Sequence, residues 1–147
     1  IRPLATCTVW LAVDDSTPEN GCLKFIKGSH IDQKLKSHNE NNSKNLTLNQ
    51  ELANEEFDET EAVNLVLDRG QISLHDVYLV HGSEANNSPK ARRAITMRFM
   101  PTTSIFDHQL VKDKKMFSKL NASKYSDRKI YHMRGNDISG KNNLTYI

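Results

Sequence analysis

The chain has 147 residues, of which 37% are hydrophobic and 26% are charged, and its 20 basic and 18 acidic side chains leave a formal net charge of +2. This length allows one domain at most. The near balance of charge favours neither nucleic acid nor an anionic membrane surface as a partner. The sequence also contains no apolar run approaching the roughly twenty residues that a membrane-spanning helix requires.

Two β-prone runs open the chain. Residues 5–13 and 22–26 are rich in β-branched, aromatic and aliphatic side chains, which predicts two strands, and the acidic, Pro and Gly residues of 14–21 predict a turn between them. Each run contains one cysteine, Cys7 and Cys22, placed as a small buried hydrophobe would be in a reducing compartment. Together with the absence of a signal-peptide pattern, this predicts a cytoplasmic protein.

The middle of the chain is polar. Residues 31–61 carry many Lys, Asn and Glu side chains and few apolar ones, which predicts a loop with short helical pieces. A third strand is predicted at Val63–Leu67, followed by a tight turn at 68–70. Several short strands separated by turns favour an antiparallel sandwich or jelly roll, a mainly β fold.

The segment 69–103 contains the chemistry-bearing residues. His81 closes an apolar run at 77–80, and Arg92 opens a run that alternates between apolar and polar side chains. A neutral imidazole at a strand end is a good ligand for a divalent metal, and a guanidinium grips a carboxylate with two parallel hydrogen bonds. Ser83 could add a hydroxyl to the same carboxylate.

This combination suggests a redox iron site with an organic-acid co-substrate. The alternative from the residues alone is that His81 ends a buried strand and that Arg92 forms a surface ion pair. Beyond this segment, Lys112–Lys129 is basic and poor in β-branched residues, which predicts a surface helix or an extended tail.

Longer strings around these residues resemble the phytanoyl-CoA dioxygenase family, whose members are non-haem Fe(II)- and 2-oxoglutarate-dependent oxygenases on a double-stranded β-helix of the jelly-roll or cupin-like type. The strings also keep the family's order and spacing. They are the Val-Trp-Leu-Ala-Val-Asp-Asp-Ser-Thr-x-Glu-Asn-Gly-Cys-Leu block at 9–23, the Gly-Ser-His at 28–30, the Ser-Leu-His at 73–75, the Leu-Val-His-Gly-Ser at 79–83, the Asn-x-Ser-Pro-x-x-Arg-Arg at 86–93 and the Thr-x-Arg-Phe-Met-Pro-Thr at 96–102.

The resemblance implies a role for four residues. His81 would be the distal iron ligand, Arg92 would hold the distal carboxylate of 2-oxoglutarate with help from Ser83, and Trp10 would line the co-substrate pocket. The implied cofactors are Fe(II) and 2-oxoglutarate, with O2 as the oxidising substrate and ascorbate as a candidate reductant.

The family's iron-binding His-x-Asp lies a few residues before the equivalent of Ile1. The resemblance therefore implies one partial double-stranded β-helix domain over 1–147, N-terminally truncated and lacking two of three protein ligands. A second His-x-Asp at His30-Ile31-Asp32 is rejected as their substitute, because the Gly-Ser-His containing His30 has its own place in the family, at a turn after the second strand. We expect such a fragment to be inactive and marginally stable alone.

The predicted function is hydroxylation of an unidentified small molecule by an Fe(II)- and 2-oxoglutarate-dependent dioxygenase. Two alternatives come from other classes. One is a catalytically inactive β-helix that serves as a binding module, and the other is a cupin-type metal enzyme without 2-oxoglutarate, which would have no reason to keep Arg92, Ser83 and Trp10 together.

Overall fold

The computed structural model describes residues 1–41, 50–109 and 127–147. Within these residues the regular secondary structure consists almost entirely of strands. They are β1 Cys7–Ala12, β2 Leu23–Ile26, β3 His38–Glu40, β4 Gln50–Leu52, β5 Ala62–Leu65, β6 Ile72–Asp76, β7 His81–Ser83, β8 Ala94–Phe99, β9 Ile130–His132 and β10 Leu144–Tyr146, with short 3-10 helices at Pro18–Asn20, Asn54–Glu56 and Glu59–Glu61. In the described part of the chain, no helix is both long enough and apolar enough to cross a membrane.

The chain divides into two compact units, Cys7–Arg98 and a terminal unit of Ile1–Thr6 with Phe99–Ile147. The first unit contains two three-stranded sheets, in the strand orders β6-β1-β8 and β5-β2-β7. β1 is antiparallel to β6, and β2 is antiparallel to both β5 and β7. This is the β-rich, jelly-roll-like fold that the sequence predicts.

The hydrophobic core of the first unit lies between its two sheets. The core contains side chains from both sheets and from the turn after β5. They are Trp10, Ala12 and Leu67, with Leu23, Leu65 and Ala94 packed against them. Because Trp10 belongs to one sheet and Leu23 to the other, the inner faces of the two sheets meet here.

The terminal unit is held by polar contacts. Arg2 and Ile105 exchange two backbone hydrogen bonds of 2.9 and 2.8 Å, and β9 pairs in parallel with β10. The side chain of Asn142 accepts a hydrogen bond from the backbone N–H of Phe106 and donates to the carbonyl of Ser104. The predicted surface helix or tail at Lys112–Lys129 lies mostly outside the described residues, which omit 110–126.

The strands predicted from the apolar runs are confirmed, but the run 77–80 is not a strand. It forms a turn between β6 and β7. The Asp76 carboxylate accepts a 2.8 Å hydrogen bond from the Tyr78 N–H, and the Asp76 backbone carbonyl accepts a 3.2 Å bond from the Leu79 N–H. His81 therefore begins a strand rather than ending one. The apolar side chains of this turn resemble those of a strand in sequence, whereas the Asp76 side chain determines the reversal.

The predicted loop at 31–61 contains one further feature. β3 and β4 form a small antiparallel pair, with His38 opposite Leu52 and Glu40 opposite Gln50. The residues of β3 are all polar and exposed, so the sequence contains no apolar alternation that would predict this strand. Elsewhere, Cys22 is buried as expected, but Cys7 is exposed, and both are free thiols.

Candidate co-substrate and metal site

His81 is the first residue of β7 and is paired across the sheet with Phe25 of β2. Its Nδ1 lies 2.7 Å from the backbone carbonyl oxygen of Leu79. In this arrangement Nδ1–H donates to the carbonyl, which leaves the Nε2 lone pair available to a metal ion. The turn at 77–80 thus determines the tautomer of the proposed ligand.

Ser83 lies two residues further along β7, opposite Leu23. Alternate residues of a strand point to the same face, so Ser83 and His81 share the face of Leu23. Since Leu23 packs against the core that contains Trp10, this is the inner face of the sheet. Both Ser83 and His81 are exposed there, near the open end of the sandwich interior rather than within its packed centre.

Arg92 and Trp10 are brought together by the fold. The guanidinium carbon of Arg92 lies 6.0 Å from the centroid of the Trp10 ring, which is itself buried at 5% exposure. The Arg92 Nε is buried and has no hydrogen-bond partner among the residues that the structure describes. A buried guanidinium N–H without an acceptor is costly, and a carboxylate would supply two acceptor oxygens together with the opposite charge. The donor set therefore fits a carboxylate ligand.

The backbone on either side of Arg92 is held by the turn between β1 and β2. Asn20, at 2% exposure, donates from its side-chain amide to the carbonyls of Asp15 at 2.8 Å and Ala91 at 3.3 Å. Next to it, Gly21 lies so close to β7 that an added Cβ would be 2.6 Å from the carbonyl oxygen of Glu84. The same turn thus approaches the segments that carry both Arg92 and Ser83.

Asp14 supplies the second anchor. Its carboxylate accepts hydrogen bonds of 2.8 Å from the backbone N–H, the Nε and the Nη2 of Arg93. These bonds hold the pKa of Asp14 at about 2, below its ordinary value of 3.8. With Ala91 and Arg93 both tied to the turn, the Arg92 side chain projects from a fixed stretch of backbone.

Sequence reasoning assigned residues 14–21 only to a turn. It missed Asn20 and Asp14, which hold the backbone on either side of Arg92. The spacing of Thr17 and Asn20 was an available signal, because this pair forms a reciprocal cap at the 3-10 helix. A side chain that caps its own turn and also bonds a remote strand end cannot be distinguished in sequence from an ordinary turn residue.

His75 lies beside His81. The two imidazole centroids are 5.1 Å apart, and Phe25 lies 5.2 Å from His75 and 5.8 Å from His81. Burial lowers the pKa of His75 to about 4, with smaller effects from His81 and Arg98, so its imidazole is neutral near pH 7. The structure therefore places the His75 imidazole in contact with the proposed metal ligand.

The four predicted site residues all lie in the unit Cys7–Arg98, where Trp10 contacts Arg92 and His81 shares a strand face with Ser83. In the ranges that the structure describes, no group of three or more His, Cys, Asp or Glu side chains is positioned to hold a metal ion. In particular, the fold does not combine His30 and Asp32 with His81 into such a group. His81 is the predicted ligand that this chain contributes.

A comparison with protein-family models matches residues 2–94 to phytanoyl-CoA dioxygenase (PhyH). The chain belongs to this family. The match includes β1 to β7, Arg92 and the turn that anchors it, so the proposed site lies within the part of the chain that defines membership.

Curated relatives agree with the family model. A phytanoyl-CoA dioxygenase domain-containing protein 1 homolog from Dictyostelium discoideum is 34% identical over 100 residues, covering 67% of this chain and 36% of the relative. The phytanoyl-CoA dioxygenase domain-containing protein 1 of Rattus norvegicus is 33% identical over 96 residues, covering 63% of this chain and 32% of the relative. The chain thus spans about a third of the length of these relatives.

Solved structures show the same fold. The apo form of ThoJ, a non-heme monooxygenase, is 28% identical with a TM-score of 0.54 and covers 67% of this chain and 34% of its own. EvdO2 from Micromonospora carbonacea var. aurantiaca, complexed with 2-oxoglutarate, is 26% identical with a TM-score of 0.54 and covers 64% of this chain and 37% of its own. The protein therefore has a fold of the Fe/2-oxoglutarate oxygenase type.

Proposed function

We propose that this chain supplies the 2-oxoglutarate anchor and one iron ligand of an Fe(II)- and 2-oxoglutarate-dependent dioxygenase that hydroxylates a small molecule in the cytoplasm. The observation that carries the proposal is the buried Nε of Arg92, which has no partner in the described part of the chain, in a guanidinium that lies beside the Trp10 ring. The 2-oxoglutarate complex of EvdO2 supports the identity of the ligand.

In this proposal Arg92 binds the distal carboxylate of 2-oxoglutarate through its planar fork. Trp10 forms the wall beside the guanidinium and excludes water from the ion pair, which strengthens the pair. The Ser83 hydroxyl donates a further hydrogen bond to the same ligand. These three residues bind and orient the co-substrate without taking part in bond cleavage.

His81 would hold Fe(II) through Nε2, with its ring orientation fixed by the bond from Nδ1 to Leu79. β7 is paired by β2 on one side, and within the described residues its other edge is open. A further strand at that edge would bring its side chains next to His81, and we propose that a His-x-Asp encoded upstream of Ile1 completes the ligand set. When bound, Fe(II) with 2-oxoglutarate and O2 supplies the oxidising chemistry, and ascorbate would keep the iron reduced.

The experiment uses the protein translated with the coding sequence that precedes Ile1. With Fe(II), 2-oxoglutarate and O2, we expect succinate to be released, and we expect His81→Ala to abolish this release. His30→Ala is the matched control, because His30 belongs to the rejected His-x-Asp, and it should retain wild-type turnover.

If His30→Ala were inactive and His81→Ala active, the ligand assignment would be wrong. If no His-x-Asp preceded Ile1 in frame and no succinate were formed, a catalytically inactive β-helix that binds 2-oxoglutarate would replace the enzyme. A cupin-type enzyme without 2-oxoglutarate would leave the buried Arg92 Nε unexplained.

A further inference from the structure

The inner face of β6 is polar, although its outer face is apolar. Ile72 and Leu74 point outward and are 52% and 63% exposed, whereas Ser73 and His75 point into the sandwich. Ser73 lies opposite Trp10 in the register, and His75 lies opposite Thr8. The side of β6 that faces the proposed co-substrate pocket therefore carries a hydroxyl and an imidazole in place of aliphatic packing.

His75 is 93% buried, since only 7% of its surface is exposed, and within the described ranges its Nδ1 has no hydrogen-bond partner. Ser73 Oγ is also buried and has no hydrogen-bond partner among the described residues. A buried polar atom left without a partner destabilises the folded state. A residue needed only to pack against Phe25 and His81 would avoid this cost, because an aromatic or aliphatic side chain fills the same space without a polar atom.

Five buried polar side-chain atoms lack a hydrogen-bond partner among the described residues, and three of them, Arg92 Nε, Ser73 Oγ and His75 Nδ1, belong to residues around the proposed pocket, whereas Thr6 Oγ1 and Ser16 Oγ do not. Arg92 Nε lies at the Trp10 ring, Ser73 Oγ is across the strand from Trp10, and His75 is in ring contact with His81. His81 has its Nδ1 committed to Leu79, so His75 is the second imidazole of the pair and has a free ring nitrogen. The unpaired groups that line this interior are N–H and O–H groups, the complement of a ligand rich in carboxylate and carbonyl oxygens.

We propose that His75 is a further ligand-binding residue of this pocket, donating a hydrogen bond from Nδ1–H to an oxygen of 2-oxoglutarate bound beside His81. The proposal rests on the proposed function and deepens it. An imidazole can carry a proton on Nδ1, and an oxygen acceptor placed beside Nδ1 favours this arrangement. The same ring packs against His81 and Phe25, so one side chain both limits the movement of the metal ligand and contacts the co-substrate.

The experiment separates the ring from its nitrogen. His75→Phe keeps an aromatic ring against Phe25 and His81 but removes Nδ1, whereas His75→Asn keeps an N–H near the Nδ1 position but removes the ring. The control is His132→Phe, since His132 also packs against an aromatic ring, Tyr146 at 5.1 Å, in the terminal unit. Affinity for 2-oxoglutarate is measured by calorimetry on the Fe(II)-loaded protein without oxygen, and Fe(II) affinity is measured separately.

We expect His75→Phe to weaken 2-oxoglutarate binding about tenfold, the effect of one lost hydrogen bond to a charged ligand, with Fe(II) affinity unchanged. His75→Asn should recover most of the 2-oxoglutarate affinity, and His132→Phe should match the wild type. Wild-type affinity in His75→Phe would overturn the proposal. So would a loss in His75→Asn as large as that in His75→Phe, because an N–H restored near the Nδ1 position would then not restore 2-oxoglutarate binding.

Failure of the proposed function gives a different pattern. If the wild-type protein with its upstream sequence bound Fe(II) but not 2-oxoglutarate, Arg92 and His75 would both lose their assigned ligand. If the wild type bound 2-oxoglutarate, and Arg92→Ala did not, while His75→Phe bound as tightly as the wild type, only the present inference would fall.

Discussion

Two polar regions of the protein use their hydrogen-bonding groups in opposite ways. In the terminal unit, the Asn142 amide bonds to Ser104, Asp137 and Ser139 and accepts from Phe106, so both ends of this side chain are used. Inside the sandwich, Arg92 Nε, His75 Nδ1 and Ser73 Oγ are buried and have no partners among the described residues.

The difference indicates what each region is for. Asn142 contributes to stability, because its partners would be left unpaired without it. The three groups in the sandwich do not stabilise the fold through hydrogen bonds to the described residues, and an added ligand with acceptor oxygens would satisfy them. Substitutions that remove polar groups should therefore have opposite consequences in the two regions.

The largest effect is expected for Arg92→Ala. Loss of a two-pronged, charge-assisted contact should weaken 2-oxoglutarate binding about a hundredfold or more, while the unfolding midpoint stays unchanged or rises. Calorimetric titration and thermal unfolding of the same preparations measure both quantities. Arg134→Ala, which removes an exposed arginine from the terminal unit, is the control and should leave the affinity unchanged. Retained affinity in Arg92→Ala would contradict the carboxylate assignment.

Asn142→Ala tests the region in which the polar side chain is bonded throughout. The substitution leaves the Phe106 N–H and the Ser104 carbonyl without these hydrogen bonds, so we expect a loss of about 1–3 kcal/mol in the free energy of unfolding. Chemical denaturation measures this loss, and the neighbouring exposed Asn143→Ala provides a matched control. Equal stability of the two variants would mean that the Asn142 contacts are replaced by water at no cost.

A pair of serines sharpens the contrast. Ser104 is fully buried and donates a 2.9 Å hydrogen bond to the Pro3 carbonyl, whereas the buried hydroxyl of Ser73 has no partner. Ser104→Ala should cost about 1 kcal/mol of unfolding free energy, and Ser73→Ala should be neutral or slightly stabilising. Denaturation curves of the two variants give the answer directly. A larger loss for Ser73→Ala would show that its hydroxyl is satisfied within the protein.

The smallest effect is expected at Asp14. Its folded pKa of about 2 is below the ordinary 3.8, so its contribution to stability is present above about pH 4 and is lost as the pH falls toward 2. Asp14→Asn should therefore flatten this part of the pH dependence of the denaturant midpoint. Arg93→Gln, which removes the partner, should flatten it similarly. Parallel curves for wild type and Asp14→Asn would exclude the pair as a source of acid sensitivity.

The strands could be predicted, and the four site residues could be proposed, because their signals are local. β1, β2 and β5 are apolar runs bounded by turns, and the residues around His81 and Arg92 carry a family pattern. The contact between Arg92 and Trp10 depends on which strands become neighbours, and periodicity does not determine that. The roles of Asn20 and His75 depend on what they meet across the fold, so turn and strand patterns alone could not assign them.

The outward-facing apolar residues of the β6-β1-β8 sheet have a consequence for strand alignment during folding. A shift of β6 by one residue would turn Ile72 and Leu74 inward and expose Ser73 and His75, a change that hydrophobic burial alone would favour. Correct alignment therefore depends on specific bonds at the ends of the strands. The Asp15 carboxylate, which accepts a 2.8 Å hydrogen bond from the backbone N–H of Arg69, and the 2.8 Å bond from the Gly70 N–H to the Ala12 carbonyl provide them. In this sheet, polar contacts outside the strands prevent slippage that the side-chain pattern within them would allow.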